Sequence, residues 1–317
     1  MSHSSSVGVS SKIDVFGIGE HEIKVVKVAD DATTPKSLLI FTPLEAGEFP
    51  VLVLLHGFCL YNSFYSQLSH HIASHGFILV VPQLREPWNM EQLHLCTGSD
   101  ATEEIEDVVA ISNWLPEGLQ KFLPSGVHAD LKKLGLAGHN KGGKEAFAIA
   151  LNKFHTKLNL KFSALIGIDP VDGTEVGKQT QPKILTYVPH SFNLGMPVMV
   201  IGSGLGEIKR NPLFPACAPK GVSHEEFYKE CRKPACYFVV KDYGHLDVLD
   251  DETKGIVGKF ANCMCKNGKS REPMRRFVGG AVVAFLKAYF EGDFGYLMTI
   301  KDEANGLVVL QKVDFQL

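Results

Sequence analysis

The chain has 317 residues, 45% of them apolar and 21% charged, and its 32 basic and 35 acidic side chains leave a formal charge of −3. That near-balance excludes a nucleic-acid binder working by phosphate neutralisation, and the composition excludes a disordered chain. No apolar run approaches the roughly 20 residues needed to span a bilayer; the longest, Phe277–Leu286, is interrupted by Gly279 and Gly280.

Residues 1–20 read as a Ser-rich disordered tail. They lack the apolar centre of a secretory signal, and the absence of Arg together with Asp14 and Glu20 gives little support to a transit peptide. The expected compartment is therefore plastid or cytosol. His21–Val28 and Ser37–Thr42 read as strands, and the uninterrupted apolar run Val51–Leu55 as a central strand buried on both faces. Phe64, Leu68, Ile72 and Ala73 fall at helical spacing and are stopped by Gly76; Phe77–Val81 is a further strand. Arg85–Gly98 shows no period and reads as an irregular loop with apolar side chains. A long helix capped by Ser99 or Asp100 and rich in early acids should run to about Leu123, broken or kinked at Pro116.

Leu131–Ala137 is the next strand, followed by a glycine-rich turn and a helix over Lys144–Phe154. Phe162–Ile168, Val198–Gly202 and Tyr237–Val240 complete the expected strands, with residues 169–197 largely loop. Met274–Phe290 is the last long helix. Strands alternating with helices predict one α/β domain over residues 21–317, with a mostly parallel sheet and helices on both faces.

Seven cysteines, none in C-x-x-C spacing, argue against a zinc site. In a reducing compartment they read as free, mostly buried thiols. One local disulfide among Cys217, Cys231, Cys236, Cys263 and Cys265 stays open.

The turn Gly138-His139-Asn140-Lys141-Gly142-Gly143 sits between a strand and a helix, the setting of the nucleophile elbow G-x-S-x-G. The central residue here is Asn. A hydroxyl can be deprotonated by His and form an acyl-enzyme, whereas a neutral amide cannot do so at a useful rate. Asn does tolerate positive φ, so Asn140 can preserve the elbow without the nucleophile.

His56-Gly57-Phe58 follows the central strand, where an oxyanion loop would lie, and the backbone N–H groups of Phe58 and Lys141 are the expected oxyanion donors. Asp169 ends a strand and His245 follows the last one, giving the order nucleophile position, acid, base. Asp172 and Glu207 compete with Asp169 for the acid role. His56 and His139 also have a simpler reading, as partners of buried backbone groups. His70, His71 and His75 read as structural, and Asp247, Asp250 and Asp251 as a solvated acidic face.

These segments resemble the plant chlorophyllases, serine esterases that cut phytol from chlorophyll. The resemblance runs from about Ser37 to Ile300 and rests on LLHGF (54–58), YNSFYSQL (61–68), SHGFILVVPQL (74–84), SALIGIDPVDGT (163–174), IGSGLGE (201–207), NPLFPACAP (211–219), KDYGHLDVLDD (241–251), CMCKNG (263–268) and MRRFVGGAVVAFLKAY (274–289). The family elbow reads G-H-S-R-G-G, so Asn140 and Lys141 depart from it while Asp169 and His245 match. The resemblance implies an α/β-hydrolase fold and a carboxylic ester hydrolase with no protein cofactor, the magnesium belonging to the substrate. It implies a chlorophyll-type ester as small-molecule partner, held by His56, Phe58, Tyr61, Trp88 and Leu95, with peripheral membrane contact open. With Asn140 at the elbow, turnover should be impaired; the alternative is a silent binder of chlorophyll or another apolar ester.

Overall fold

A computed structural model describes residues 14–31, 33–86, 100–212, 215–304 and 306–317. Its strands are β1 (Ile23–Val28), β2 (Leu38–Pro43), β3 (Gly47–Leu55), β4 (Ile78–Pro82), β5 (Val127–His139), β6 (Ala164–Ile168), β7 (Val198–Ser203), β8 (Ala235–Val240) and β9 (Leu310–Gln316). The helices are α1 (Ser66–Ser74), α2 (Thr102–Gly118), α3 (Lys141–Ala150), α4 (His224–Glu230), α5 (Gly255–Met264), α6 (Glu272–Leu286) and α7 (Gly295–Glu303). The strands form one nine-stranded sheet in the order β1-β2-β4-β3-β5-β6-β7-β8-β9. From β4 to β8 every pairing is parallel, and β1, β2 and β9 join antiparallel at the two sides.

The period-2 alternation of a strand divides its apolar residues between two cores. Leu52 and Leu54 of β3 face one layer with Ile166, Ile201 and Phe238, covered by α1 and α6 through Leu68, Ile72, Phe277 and Val278. Val51, Val53 and Leu55 face the other with Ile40, Leu165 and Val200, covered by α2, α3 and α4 through Ile105, Val108, Phe147 and Phe227. Residues 51–55 are wholly buried, which is why that segment is apolar throughout.

Several elements differ from expectation. Helix α2 continues past Pro116 and ends two residues later at Gly118; a proline so near the end removes one backbone donor without dividing the helix. Asp100 Oδ1 accepts from the Thr102 N–H at 2.8 Å just before α2 begins. Sheet formation does not end at β8: β9, LQKVDFQ, mixes charges with apolar residues because it lies at the edge, half-buried. Val15 and Phe16, placed in the tail by sequence, are buried against the α6 side, and His71 Nε2 donates to the Val15 carbonyl at 2.8 Å.

Cys217 and Cys265 form a disulfide, the pairing that the sequence left open, while Cys231 and Cys236 are buried thiols and Cys263 an exposed one. The acidic run after β8 is solvated only at its end, where Asp251 is exposed and Asp250 half-buried. Asp247 is buried, and its Oδ2 accepts from the N–H groups of Gly244 and Gly268 at 2.7 and 2.6 Å, closing the loop that carries His245. Burial pushes Asp250 up to about 6, and Asp251 pairs with Arg275 at 2.8 Å.

Candidate active site

Strand β5 ends at His139, and α3 begins at Lys141, so the whole reversal falls on Asn140. Its φ of 56° and ψ of −121° are the strained geometry that the glycine-flanked turn predicts. The glycines are needed because the backbones nearly touch. A Cβ on Gly138 would lie 2.1 Å from the Gly142 carbonyl oxygen, and one on Gly142 would lie 2.5 Å from that of His56. Asn140 therefore projects beyond the carboxyl ends of the parallel strands, the side on which open α/β sheets bind ligands.

Strand register delivers the other groups to the same place. His139 is level with Ile168 in β6, so Asp169 emerges beside the elbow. His245 lies five residues beyond β8 on the loop fastened by Asp247. His245 Nδ1 lies 2.8 Å from Asp169 Oδ2. Asn140 Nδ2 lies 2.5 Å from His245 Nε2, and Asn140 Oδ1 accepts from the Phe58 N–H at 3.2 Å. A backbone N–H can only donate, so Phe58 fixes which way the Asn140 amide points. Nδ2 then donates to Nε2, leaving the His245 proton on Nδ1, where it reaches the carboxylate.

Asp169 is 2% exposed. Burial alone would raise its pKa, but the His245 hydrogen bond, the charges of His245 and His224 and the Ser203 hydroxyl together hold it down to about 2. Ser203 Oγ donates to Asp169 Oδ2, and His224 Nε2 lies 3.8 Å from Oδ1. His224 is in turn fixed by the Tyr237 hydroxyl, 2.7 Å from its Nδ1. The acid that His245 meets is Asp169 and neither of its two rivals. Asp172 is wholly buried and pairs with Lys144 at 2.9 Å, and Glu207 is exposed.

Lys141 opens α3, and its ammonium, 2.5 Å from Glu104 on α2, lies over the Phe58 ring at 5.6 Å from the centroid. His56 is buried, with Nδ1 2.8 Å from the Gly57 carbonyl and Nε2 accepting from the Leu84 N–H at 3.0 Å. Its ring nitrogens thus hold the loop together, with neither turned to a ligand. Burial lowers its pKa to about 4. Tyr61 is half-buried, edge-on to Phe64. Trp88 and Leu95 lie outside the described residues. Sequence reasoning missed Ser203 and His224; Ser203 carries a weak signal, standing at the end of the strand next to β6.

A mostly parallel sheet whose fifth strand turns through a positive-φ residue into a helix, with a histidine–carboxylate pair facing that residue, defines the α/β hydrolases. Within that class the chain belongs to the chlorophyllase family, whose sequence model, Chlorophyllase, matches residues 11–317. It is 57% identical over 283 residues to Chlorophyllase-2 of Arabidopsis thaliana, covering 89% of this chain and 86% of that protein. It is 47% identical to Chlorophyllase-1 of the same plant, covering 91% and 87%. Chlorophyllase-1, chloroplastic, of Citrus unshiu is 41% identical over 96% of this chain and 90% of its own.

Proposed function

We propose that this chain is a chlorophyllase-type carboxylic ester hydrolase, built to release phytol from chlorophyll, whose turnover is held far down by Asn140. The observation that carries this reading is the Asp169–His245 pair, aligned at 2.8 Å and directed at position 140. The names of the Arabidopsis and Citrus relatives support the substrate class and, for the Citrus protein, a plastid location.

In this reading His245 is the general base, Asp169 orients it, and the backbone N–H groups of Phe58 and Lys141 stabilise the oxyanion. A hydroxyl at position 140 would pass its proton to His245 Nε2 and attack the ester carbonyl joining phytol to the macrocycle's propionate. His245 would then protonate the leaving phytol oxygen, and water would release the acid. Asn140 opposes this twice. Its amide supplies no alkoxide, and its two polar atoms already engage the Phe58 N–H and His245 Nε2. That double engagement also favours the second reading, a silent protein that holds chlorophyll or another apolar ester.

Phe58 and Tyr61 are assigned to binding of the phytyl chain, the role that the resemblance also implies for Trp88 and Leu95. Such a chain offers only hydrocarbon surface, so affinity comes from burial at roughly 25 cal/mol per Å². Among the described residues no helix is long and apolar enough to cross a membrane; contact with the lipid phase holding the substrate is assigned as peripheral.

The test is the purified chain with chlorophyll a in detergent micelles, followed by absorbance for binding and chromatography for phytol. Saturable binding with phytol release barely above background is expected. Robust hydrolysis by the unmodified chain would overturn the role given to Asn140, and absence of binding would overturn the substrate class.

A further inference from the structure

The buried face behind the elbow holds two polar side chains that the chemistry above does not use. Tyr65 and His139 are each 0% exposed and come from different parts of the chain. Tyr65 ends the short turn Asn62–Tyr65 that leads into α1, and His139 ends β5. The Gly57 N–H donates to Tyr65 Oη at 2.8 Å. Tyr65 Oη lies 2.7 Å from His139 Nδ1, and His139 Nε2 lies 2.9 Å from the His245 carbonyl oxygen.

The two ends fix every proton between them. A backbone N–H only donates and a carbonyl only accepts. Tyr65 Oη therefore receives the Gly57 hydrogen and directs its own at His139 Nδ1, while His139 carries its proton on Nε2 and gives it to His245. No polar atom in this line is left without a partner, as burial requires.

We propose that Tyr65 and His139 are positioning residues that hold the oxyanion-loop donor Phe58 at a fixed distance from the His245 loop, through the line Gly57–Tyr65–His139–His245. One end of the line is the residue directly before Phe58, and the other is the backbone of the base itself. The His139 ring also lies against the His245 ring, with centroids 4.6 Å apart. The approach is close enough to favour glycine at position 57, because a Cβ there would lie 3.0 Å from His139 Nδ1 and 3.1 Å from Asn140 Cβ, so that these side chains would have to give by a few tenths of an ångström. Burial above all holds the His139 pKa down to about 3, and the adjoining His245 ring adds to it because two imidazolium rings so close would repel, so its protons keep one arrangement at neutral pH.

The kinetic side of this proposal rests on the ester-hydrolase reading, so the test has one arm independent of turnover. In the otherwise unmodified chain, Tyr65→Phe keeps the ring and removes the hydroxyl. Hydrogen exchange of the Phe58 amide should then speed up at least tenfold relative to that of Val53 in β3. In an Asn140→Ser background acting on p-nitrophenyl butyrate, Tyr65→Phe should lower kcat about 10- to 100-fold with KM nearly unchanged, the size expected for a displaced oxyanion donor. His139→Leu should do the same, and His139→Gln, which can still donate and accept, should recover most of the loss. Because the line acts as a unit, adding Tyr65→Phe to His139→Leu should cost no more than about twofold. Unchanged Phe58 exchange in Tyr65→Phe would overturn the proposal in either background. So would a lowered Tm with unaltered kcat in an active Asn140→Ser protein, or full additivity of the two losses. An inert Asn140→Ser protein that still shows the exchange effect would count against the hydrolase reading and leave the positioning line supported.

Discussion

Asn140 donates to His245 Nε2 across 2.5 Å, so the ring nitrogen that faces the elbow is already an acceptor. The same nitrogen would take the nucleophile's proton if position 140 carried a hydroxyl. One substitution therefore both supplies the nucleophile and frees the Phe58 N–H.

The first prediction is that Asn140→Ser raises phytol release by up to about 10⁶-fold in kcat, the scale on which a triad serine is worth in a comparable hydrolase. That corresponds to roughly 8 kcal/mol of barrier. His245→Ala in the same background should abolish it again. A correctly folded Asn140→Ser protein without activity in the micelle assay would favour the silent binding role.

Two aspartates three positions apart should respond in opposite ways. Asp169→Asn in the active background should lower kcat by about 10⁴-fold, because an amide permits the wrong tautomer and cannot stabilise the imidazolium. Asp172→Asn should instead lower stability by about 3–5 kcal/mol, since it leaves the 1% exposed Lys144 charge without its counter-ion. Urea denaturation and ester kinetics on both variants separate these effects; a large kcat loss at normal stability in Asp172→Asn would reverse the assignment.

Much of this site could be read from the sequence because its signals are local. The run VLVLL marks β3, the glycines of GHNKGG mark the elbow, and Asp169 and His245 each stand just past a strand. The supporting groups depend on pairing between distant strands. Ser203 reaches Asp169 only because Ile168 is level with Ile201, and Tyr65 reaches His139 across a separation of 74 residues. Neither relation leaves a periodic trace in the chain. Asp247 was misread because an acidic run after a strand resembles a surface loop, whereas two nearby backbone N–H groups need its carboxylate.

The buried histidines predict a pH dependence with a definite sign. Burial, opposed by the Val15 carbonyl, lowers His71 from 6.5 to about 4. Its contribution is fully present above the ordinary value and is lost as pH falls towards the folded one, because the unfolded chain takes up the proton first. Wild type should therefore lose about 2 kcal/mol relative to His71→Gln between pH 8 and pH 5, at 1.36 kcal/mol per pKa unit. Urea melts at the two pH values check this, and a gap independent of pH would mean that His71 titrates normally.

The disulfide joins two segments that other contacts already align. The backbones of Lys209 and Cys265 form an isolated bridge, and the Arg210 guanidinium donates to the Asn262 carbonyl. Loss of the covalent bond should thus leave the folded arrangement in place and act mainly on the unfolded chain. For a sequence separation of 48 residues, the chain-entropy relation gives about 4 kcal/mol as the stabilisation. In a protein of this size that corresponds to a fall in Tm of roughly 5–10 °C. The exposed Cys263 thiol lies two residues from Cys265 and can exchange with the pair. The clean comparison is therefore Cys263→Ser alone against Cys263→Ser with Cys217→Ala and Cys265→Ala, each melted with and without reductant. Reductant should lower the Tm of the first protein to that of the second and leave the second unmoved. Equal melting of both proteins under oxidising conditions would mean that the Cys217–Cys265 bond contributes nothing to stability.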